Sequence, residues 1–265
     1  MQHTDPTGTP APALPDPSAD PWIRRFRPAP ESRVRLVCFP HAGGAASFYL
    51  PLARQLPPGI EAWSLQYPGR QERRTEAPFT AIPELADAAF DALRPHLTEP
   101  FAFFGHSMGS IVAFEVARRC ERAGLPGPVR LFVSARRAPS DPRRKAIRLL
   151  DDDGLVAELE RLGGTAPGVL ADAELRAMVL PAVRADYHAI ETYVCGQGER
   201  VNCPLTVLSG DADPSLAVAD APAWQQHTTA ECEVSVYSGG HFYLEGHVPE
   251  VAERIGGALL GTPAG

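Results

Sequence analysis

Short apolar runs alternating with stretches of helical period constrain this chain more than any other feature. The runs are Val34 to Phe39, Ile60 to Gln66, Phe101 to Phe104, Val129 to Ser134, Pro204 to Ser209 and Cys232 to Tyr237. Between most of them lie amphipathic segments, Ala46 to Leu56, Ile82 to Leu97, Met108 to Ala123 and Ala221 to His227, and Val248 to Leu260 closes the series. Strand, helix, strand, helix at this spacing builds βαβ units, which predicts an α/β fold with a mostly parallel central sheet flanked by helices. Ile23 to Arg27 is a candidate edge strand.

The 265 residues suit one α/β domain, expected over 21–265. Residues 1–20 are rich in Pro, Ala and Asp and read as a disordered leader. They have no basic start followed by an apolar core, so they are not a secretory signal. No run approaches the roughly 18 apolar residues that span a bilayer. A cytoplasmic monomer is the expectation.

One region interrupts the alternation. Between Ser134 and Pro204 lie about seventy residues without a good strand, too many for a plain crossover. Leu149 to Leu162 and Ala173 to Tyr193 carry helical patterns there, separated by Gly163, Gly164, Pro167 and Gly168. A helical insertion at the carboxyl edge of a sheet commonly covers a site, so residues 136–199 are expected to form a lid.

The sharpest local signal is Gly105-His106-Ser107-Met108-Gly109. A buried strand precedes it and a helix follows, and the chemistry needs that context. A tight strand-to-helix turn forces the serine into a strained backbone conformation, and small residues two positions to either side relieve the clash. The helix N-terminus then aims N–H groups at an oxyanion forming beside Ser107.

A serine hydroxyl needs a base, and the base an acid, in the chain order Ser, Asp/Glu, His. Of eight histidines, His241 stands in the glycine-flexed loop Ser238-Gly239-Gly240-His241-Phe242 after the last strand, where a base is required. The acid belongs after the strand Leu205-Thr206-Val207-Leu208, in Gly210-Asp211-Ala212-Asp213-Pro214. Two aspartates compete there. Asp213 is favoured because Pro214 fixes the turn, while Asp211 is better placed to order it. A second oxyanion donor beside the Met108 N–H is expected from Pro40-His41-Ala42-Gly43-Gly44, with the Ala42 N–H the choice.

Other chemistries lack support. No phosphate loop, dinucleotide fingerprint or zinc-protease motif is present, and Lys145 is the single lysine. Five cysteines without a C-x-x-C read as buried thiols rather than metal ligands, so no metal and no cofactor is expected. Thirty-two acids against 25 basic residues give a net charge of −7, a poor field for nucleic acid.

Together, Phe39-Pro40-His41-Ala42-Gly43-Gly44, Gln66-Tyr67-Pro68-Gly69-Arg70-Gln71-Glu72-Arg73, Gly105-His106-Ser107-Met108-Gly109, Gly210-Asp211-Ala212-Asp213-Pro214 and Gly239-Gly240-His241-Phe242 resemble the type II thioesterases of polyketide and nonribosomal-peptide assembly lines. The resemblance runs from about Trp22 to Leu260. It implies an α/β-hydrolase that removes stalled or aberrant acyl groups from the phosphopantetheine arm of acyl or peptidyl carrier proteins. It also implies Ser107, Asp213 and His241 as the triad, with Ala42 and Met108 as oxyanion donors.

Carrier proteins of such systems are acidic, which the resemblance implies and a chain at −7 does not favour. Locally the balance reverses. Arg130, Arg136, Arg137, Arg143, Arg144, Lys145 and Arg148 stand against Asp141 alone between Arg130 and Arg148. Arg136, Arg137, Arg143 and Arg144 are the expected docking residues, and Arg70, Arg73 and Arg74 are a second candidate patch. Rival readings are a small-molecule carboxylesterase or lipase of the same fold, and a non-catalytic binding protein on a hydrolase scaffold.

Overall fold

A computed structural model describes residues 20–143, 145–164 and 168–261. Apart from Asp20, the leader expected over 1–20 lies outside the described residues, as does Arg144.

Among the described residues the strands are β1 (Ile23–Arg24), β2 (Val34–Phe39), β3 (Ile60–Leu65), β4 (Phe101–His106), β5 (Leu131–Ser134), β6 (Leu205–Gly210) and β7 (Cys232–Tyr237). They form one sheet in the order β1-β3-β2-β4-β5-β6-β7. All neighbours are parallel except β1, which pairs antiparallel with β3 through Ile23 and Leu65. The mostly parallel sheet expected from the alternation is present.

Its strands read as continuous apolar runs because both faces are covered. Along β4, Phe101 and Phe103 turn to one face with Phe39, Trp63 and Val133, while Ala102 and Phe104 turn to the other with Leu36, Cys38 and Phe132. The first face is roofed by α2 (Ile82–Leu93) and α3 (Met108–Arg122), which pack on each other. The second is roofed by α1 (Leu50–Gln55) and α6 (Val248–Leu260). α2 begins with a proline in its first turn, where no amide hydrogen bond is lost. It buries Ile82, Leu85, Ala86, Ala89 and Leu93, a single stripe at helical spacing.

Three segments differ from their sequence pattern. β4 continues through Gly105 and His106, which pair with Val133 and Ser134, so the ladder outlasts the apolar run. The segment read as Ala46 to Leu56 opens as a 3₁₀ turn, Ala46–Tyr49, before α1. Val218–His227 is 3₁₀ rather than α, with Pro222 inside it unable to donate an amide hydrogen bond.

Between β5 and β6 lie α4 (Asp152–Leu162) and α5 (Ala173–Thr192), where two helices were expected. Asp151 caps α4 by accepting the Gly154 N–H at 2.8 Å, and Asp172 caps α5 by accepting from Glu174 and Leu175. Gly163 ends α4 in the left-handed region at φ 86°. No helix among the described residues is long and apolar enough to cross a membrane.

The turn from β4 into α3 has the strain its sequence demands. Ser107 sits at φ 53°, ψ −118°, outside the basins open to most side chains. A Cβ at Gly105 would lie 2.3 Å from the Gly109 carbonyl oxygen, and one at Gly109 would lie 1.9 Å from that of Phe39. The first turn of α3 is thus pressed against the end of β2, with no space for a methyl group. Gly109→Ala is therefore expected to destabilise the fold by about 3 kcal/mol or more in urea unfolding. Gly257→Ala on the open face of α6, where a new Cβ meets nothing within 4 Å, should instead stabilise it by roughly 0.5–1 kcal/mol. Equal effects at the two glycines would contradict the packing argument.

Candidate active site

Three loops at the carboxyl edge of the sheet converge on Ser107. The elbow is pinned from beneath: the Ser107 N–H donates to the Ser134 carbonyl at 2.8 Å, and the Ser110 hydroxyl donates to the Gly105 carbonyl at 2.8 Å. Ser110 Oγ also accepts the Ser134 N–H at 3.1 Å. Ser110 was not singled out from sequence, since a serine one turn into a helix carries no distinguishing pattern.

The second and third loops meet at glycines. A Cβ at Gly210 would fall 2.3 Å from the Gly239 carbonyl oxygen, so the loops after β6 and β7 touch at their roots. Asp211 ties them by accepting the Gly239 N–H at 2.9 Å, which orders the turn. The neighbouring Asp213, its side chain fully buried, faces the His241 ring: Nδ1 lies 3.1 and 3.0 Å from its two carboxylate oxygens. An ionised carboxylate only accepts, so Nδ1 carries the proton. That leaves Nε2 as the acceptor for the Ser107 hydroxyl, 2.9 Å away. Asp213 is fixed in turn by the Ser215 N–H at 2.7 Å. Ser107, His241 and Asp213 are thus brought into one hydrogen-bonded line.

Met108 is the first residue of α3, so its N–H has no intrahelical acceptor. Ala42 follows β2, in the turn closed by the Gly44 N–H on the His41 carbonyl at 2.9 Å. Both line a cavity of about 100 Å³ with Ser107 at its edge. Its far wall is α5, from which Val179, Val183, Tyr187 and Ile190 project at helical spacing. A second lobe, about 60 Å³, shares Ser107 and His241 but is lined by Arg136, Arg137, Arg143 and Lys145 together with Glu158 and Glu191. Charged side chains gather in the second lobe, whereas Arg136 is the one charged residue lining the first, and the lobes meet at the serine.

Of the expected docking residues, Arg136, Arg137 and Arg143 line that charged lobe, and acids accompany them. Arg137 pairs with Asp141 at 3.4 Å, and Arg143 bridges Asp141 and Asp220 at 2.5 and 2.7 Å. The Arg136 carbonyl accepts the Trp224 indole N–H at 2.8 Å, which anchors the segment. Arg130 does not belong with them. It precedes β5 and so lies at the opposite edge of a parallel sheet, paired with Glu231.

The second patch expected from sequence is not a patch. Arg70 and Arg73 are each only 6% exposed. Arg73 donates to the Gln66 carbonyl and Glu76 and lies over the Trp22 ring, 4.7 Å from its centroid. Arg70 pairs with Asp186, a buried carboxylate of α5. Asp186 was missed. The available signal was a lone carboxylate on the face of α5 that buries Ala182, Val183, Ala189 and Ile190, a position that calls for a cationic partner.

The rings around the site are neutral by position. His106 is fully buried between Phe48, Phe242 and Tyr243, with Nδ1 2.9 Å from the Ser134 hydroxyl. Burial first, then the neighbouring His241 and His41, push its pKa well below the usual 6.5. His41, stacked edge-on against Phe48 and Phe242, is lowered to about 3, mainly by desolvation. With both rings uncharged, positive charge on His241 meets no histidine cation beside it.

Comparison with known proteins places this architecture among relatives. The family profile of the thioesterase domain matches residues 34–259. The probable cadicidin biosynthesis thioesterase of Streptomyces griseus is 50% identical over 244 residues, spanning 92% of this chain and 67% of that protein. Thioesterase PikA5 of Streptomyces venezuelae is 46% identical over 242 residues, spanning 91% of this chain and 86% of its own. Among solved structures, the type II thioesterase BorB from the borrelidin biosynthetic cluster superposes with a TM-score of 0.84 at 47% identity. That match covers 91% of this chain and 98% of BorB.

The depressed histidines have a consequence for stability. Below about pH 6.5 the unfolded chain protonates rings that the folded chain keeps neutral, so folded-state stability falls as the pH is lowered. Urea unfolding between about pH 7 and pH 5 should show this fall. His106→Asn, which keeps a polar partner for Ser134, should make it shallower. An unchanged slope in the variant would assign the acid sensitivity to other groups.

Proposed function

The chain belongs to the thioesterase family, and from that premise we propose a serine thioesterase that hydrolyses acyl thioesters from the phosphopantetheine arm of carrier proteins, clearing stalled or aberrant acyl groups in polyketide or nonribosomal-peptide assembly. The observation that carries the reading is the line from Asp213 through His241 to Ser107, at hydrogen-bond distances throughout, opening onto a two-lobed cavity.

In the mechanism we propose, Ser107 Oγ attacks the thioester carbonyl carbon while its proton passes to His241 Nε2. The carbonyl oxygen becomes an oxyanion received by the Ala42 and Met108 N–H groups. The buried Asp213 carboxylate stabilises the imidazolium and holds the tautomer that leaves Nε2 free to act. Collapse of the intermediate breaks the carbon–sulfur bond. With a thiol pKa of about 8.5, sulfur needs little protonation in the transition state, unlike an amide nitrogen, and the departing thiolate then takes the proton from His241 Nε2. The neutral Nε2 next accepts a proton from water as the water oxygen attacks the acyl-serine carbonyl, and returns that proton to Ser107 Oγ as the acid is released. Every proton transfer has a side chain to make it, so the scheme calls for no metal or cofactor.

The two lobes divide the substrate in this reading. The lobe walled by Val179, Val183 and Ile190 takes the acyl group, and its volume of about 100 Å³, small beside the roughly 300 Å³ of a drug-sized site, suits a short chain. The charged lobe faces the pantetheine arm and the carrier protein, with Arg136, Arg137, Arg143 and Arg144 steering an acidic partner.

Ser107→Ala should abolish release of acyl groups from acyl-carrier protein, followed by intact mass, while circular dichroism stays that of the parent. Retained turnover would contradict the assignment. Asp213→Asn should lower kcat by about 10⁴-fold, as loss of the acid does in serine-protease triads, and Asp211→Asn far less. The reverse order would exchange the two roles. Changing the four arginines to Ser should raise KM for acyl-carrier protein and flatten its salt dependence. Hydrolysis of a small acyl-pantetheine should fall less and keep its salt dependence, because that substrate meets the lobe but has no protein surface to steer. Equal losses on both substrates would confine the segment's role to the pocket.

A further inference from the structure

The turn that presents Ala42 is held by charges that the reaction scheme does not use. Asp186, on α5, is 1% exposed, and Arg70, in the turn after β3, is 6% exposed. Asp186 Oδ2 accepts the Gly43 N–H at 2.7 Å and lies 3.0 Å from Arg70 Nη1. Asp186 Oδ1 accepts from Arg70 Nη2 at 3.0 Å. Arg70 Nη1 also donates to the Gly44 carbonyl at 3.1 Å. One amide and one carbonyl of adjacent residues are therefore gripped by a single ion pair. The grip is close: Gly43 has φ +74°, and a Cβ there would lie 2.5 Å from Val183 Cγ2, one turn before Asp186 on the same helix.

Peptide planarity carries this grip to the reacting atoms. The Ala42 N–H shares its peptide plane with the His41 carbonyl and points the opposite way. That carbonyl is fixed by the Gly44 N–H, and Gly44 is fixed by Arg70. Holding Gly43 and Gly44 thus sets the direction of the Ala42 N–H. Nothing else in the proposed scheme requires a carboxylate in the interior of α5. A buried ion pair is also a weak device for stability alone, since well-packed apolar side chains often serve as well.

We propose that Asp186 and Arg70 are positioning residues for the Ala42 oxyanion donor, so that the donor is in place only while α5 is seated on the turn. This rests on the reading of Ser107 as nucleophile and Ala42 as donor. Acyl transfer is thereby tied to the position of the helix that walls the acyl lobe, 116 residues along the chain from Arg70.

The test replaces the pair in two ways. Arg70→Met with Asp186→Leu removes both charges and both contacts to the turn. Arg70→Met with Asp186→Asn also removes the charges but keeps an oxygen to accept the Gly43 N–H. Each is measured for urea stability, for kcat and KM on an acyl-pantetheine thioester, and for two ligands. One is a trifluoromethyl ketone analogue, whose carbonyl Ser107 Oγ attacks with its proton passing to His241, leaving the charged oxygen at the Ala42 and Met108 amides. The other is the unreactive amide analogue of the substrate.

The Met/Leu variant should fold but lose about 10²-fold in kcat, the scale of one oxyanion donor, with KM little changed. Its affinity for the ketone should fall by a similar factor and that for the amide should not. The Met/Asn variant should recover most of both losses but, lacking the Arg70 hold on the Gly44 carbonyl, should stay several-fold below wild type, so it remains informative if the Met/Leu variant does not fold. Full wild-type kcat and ketone affinity in the Met/Leu variant, or in the Met/Asn variant where it alone folds, would overturn the proposal. So would parallel losses on ketone and amide, which would make the pair a support of the pocket. Failure of the wild-type protein itself to form the ketone adduct would overturn the serine-enzyme reading beneath it.

Discussion

The contact between the first turn of α3 and the end of β2 governs the arrangement of the backbone around Ser107. Because Gly109 has no side chain, α3 starts against the Phe39 carbonyl, a place where a Cβ would come within 1.9 Å of oxygen. That approach brings the Met108 amide, at the helix N-terminus, beside the turn that carries Ala42. It also drives Ser107 to φ 53°, a conformation that persists because Ser110 and Ser134 hold the backbone on either side of it. A helix seated farther from the sheet would relieve the serine and separate the two amides. Strain at one residue and convergence of two donors are thus consequences of the same close packing.

The outer parts of the site are organised by polar contacts between loops distant in sequence. Asp211 joins the loops after β6 and β7, which carry Asp213 and His241. Asp186 and Arg70 join the turn after β2 to α5. The cavity between these supports has one wall from α4 and α5 and its floor from the elbow, and charged side chains gather in one of its two lobes. A substrate with an apolar acyl end and a polar, charged carrier end would be oriented by that difference before any reaction takes place.

Much of this was legible in the sequence because the signals are local or follow chain order. The strands announce themselves as apolar runs since both faces of the sheet are buried, and Gly105 and Gly109 frame a serine that only a strand–turn–helix context explains. The loops after the last two strands point to His241 and to a choice between Asp213 and Asp211. The failures share a cause. Arg70 and Arg73 look like surface charge because their partners, Asp186 and the Trp22 ring, are brought to them only by the fold. Arg130 was grouped with Arg136 by proximity in sequence, although a residue before a parallel strand lies a strand length from one after it. The fold also alters the charge balance of the segment from Arg130 to Arg148, because Asp220, Glu158 and Glu191 approach it from elsewhere in the chain.

The proposed acyl group on Ser107 is directly observable by mass spectrometry of the quenched reaction. The protein is mixed with an acyl-pantetheine thioester, stopped in acid at successive times, and digested. A mass increase equal to the acyl group is expected on the peptide containing Ser107, appearing with the first thiol released and vanishing as substrate is exhausted. Steady turnover with no acylated peptide at any time, or with acyl on another side chain, would contradict it.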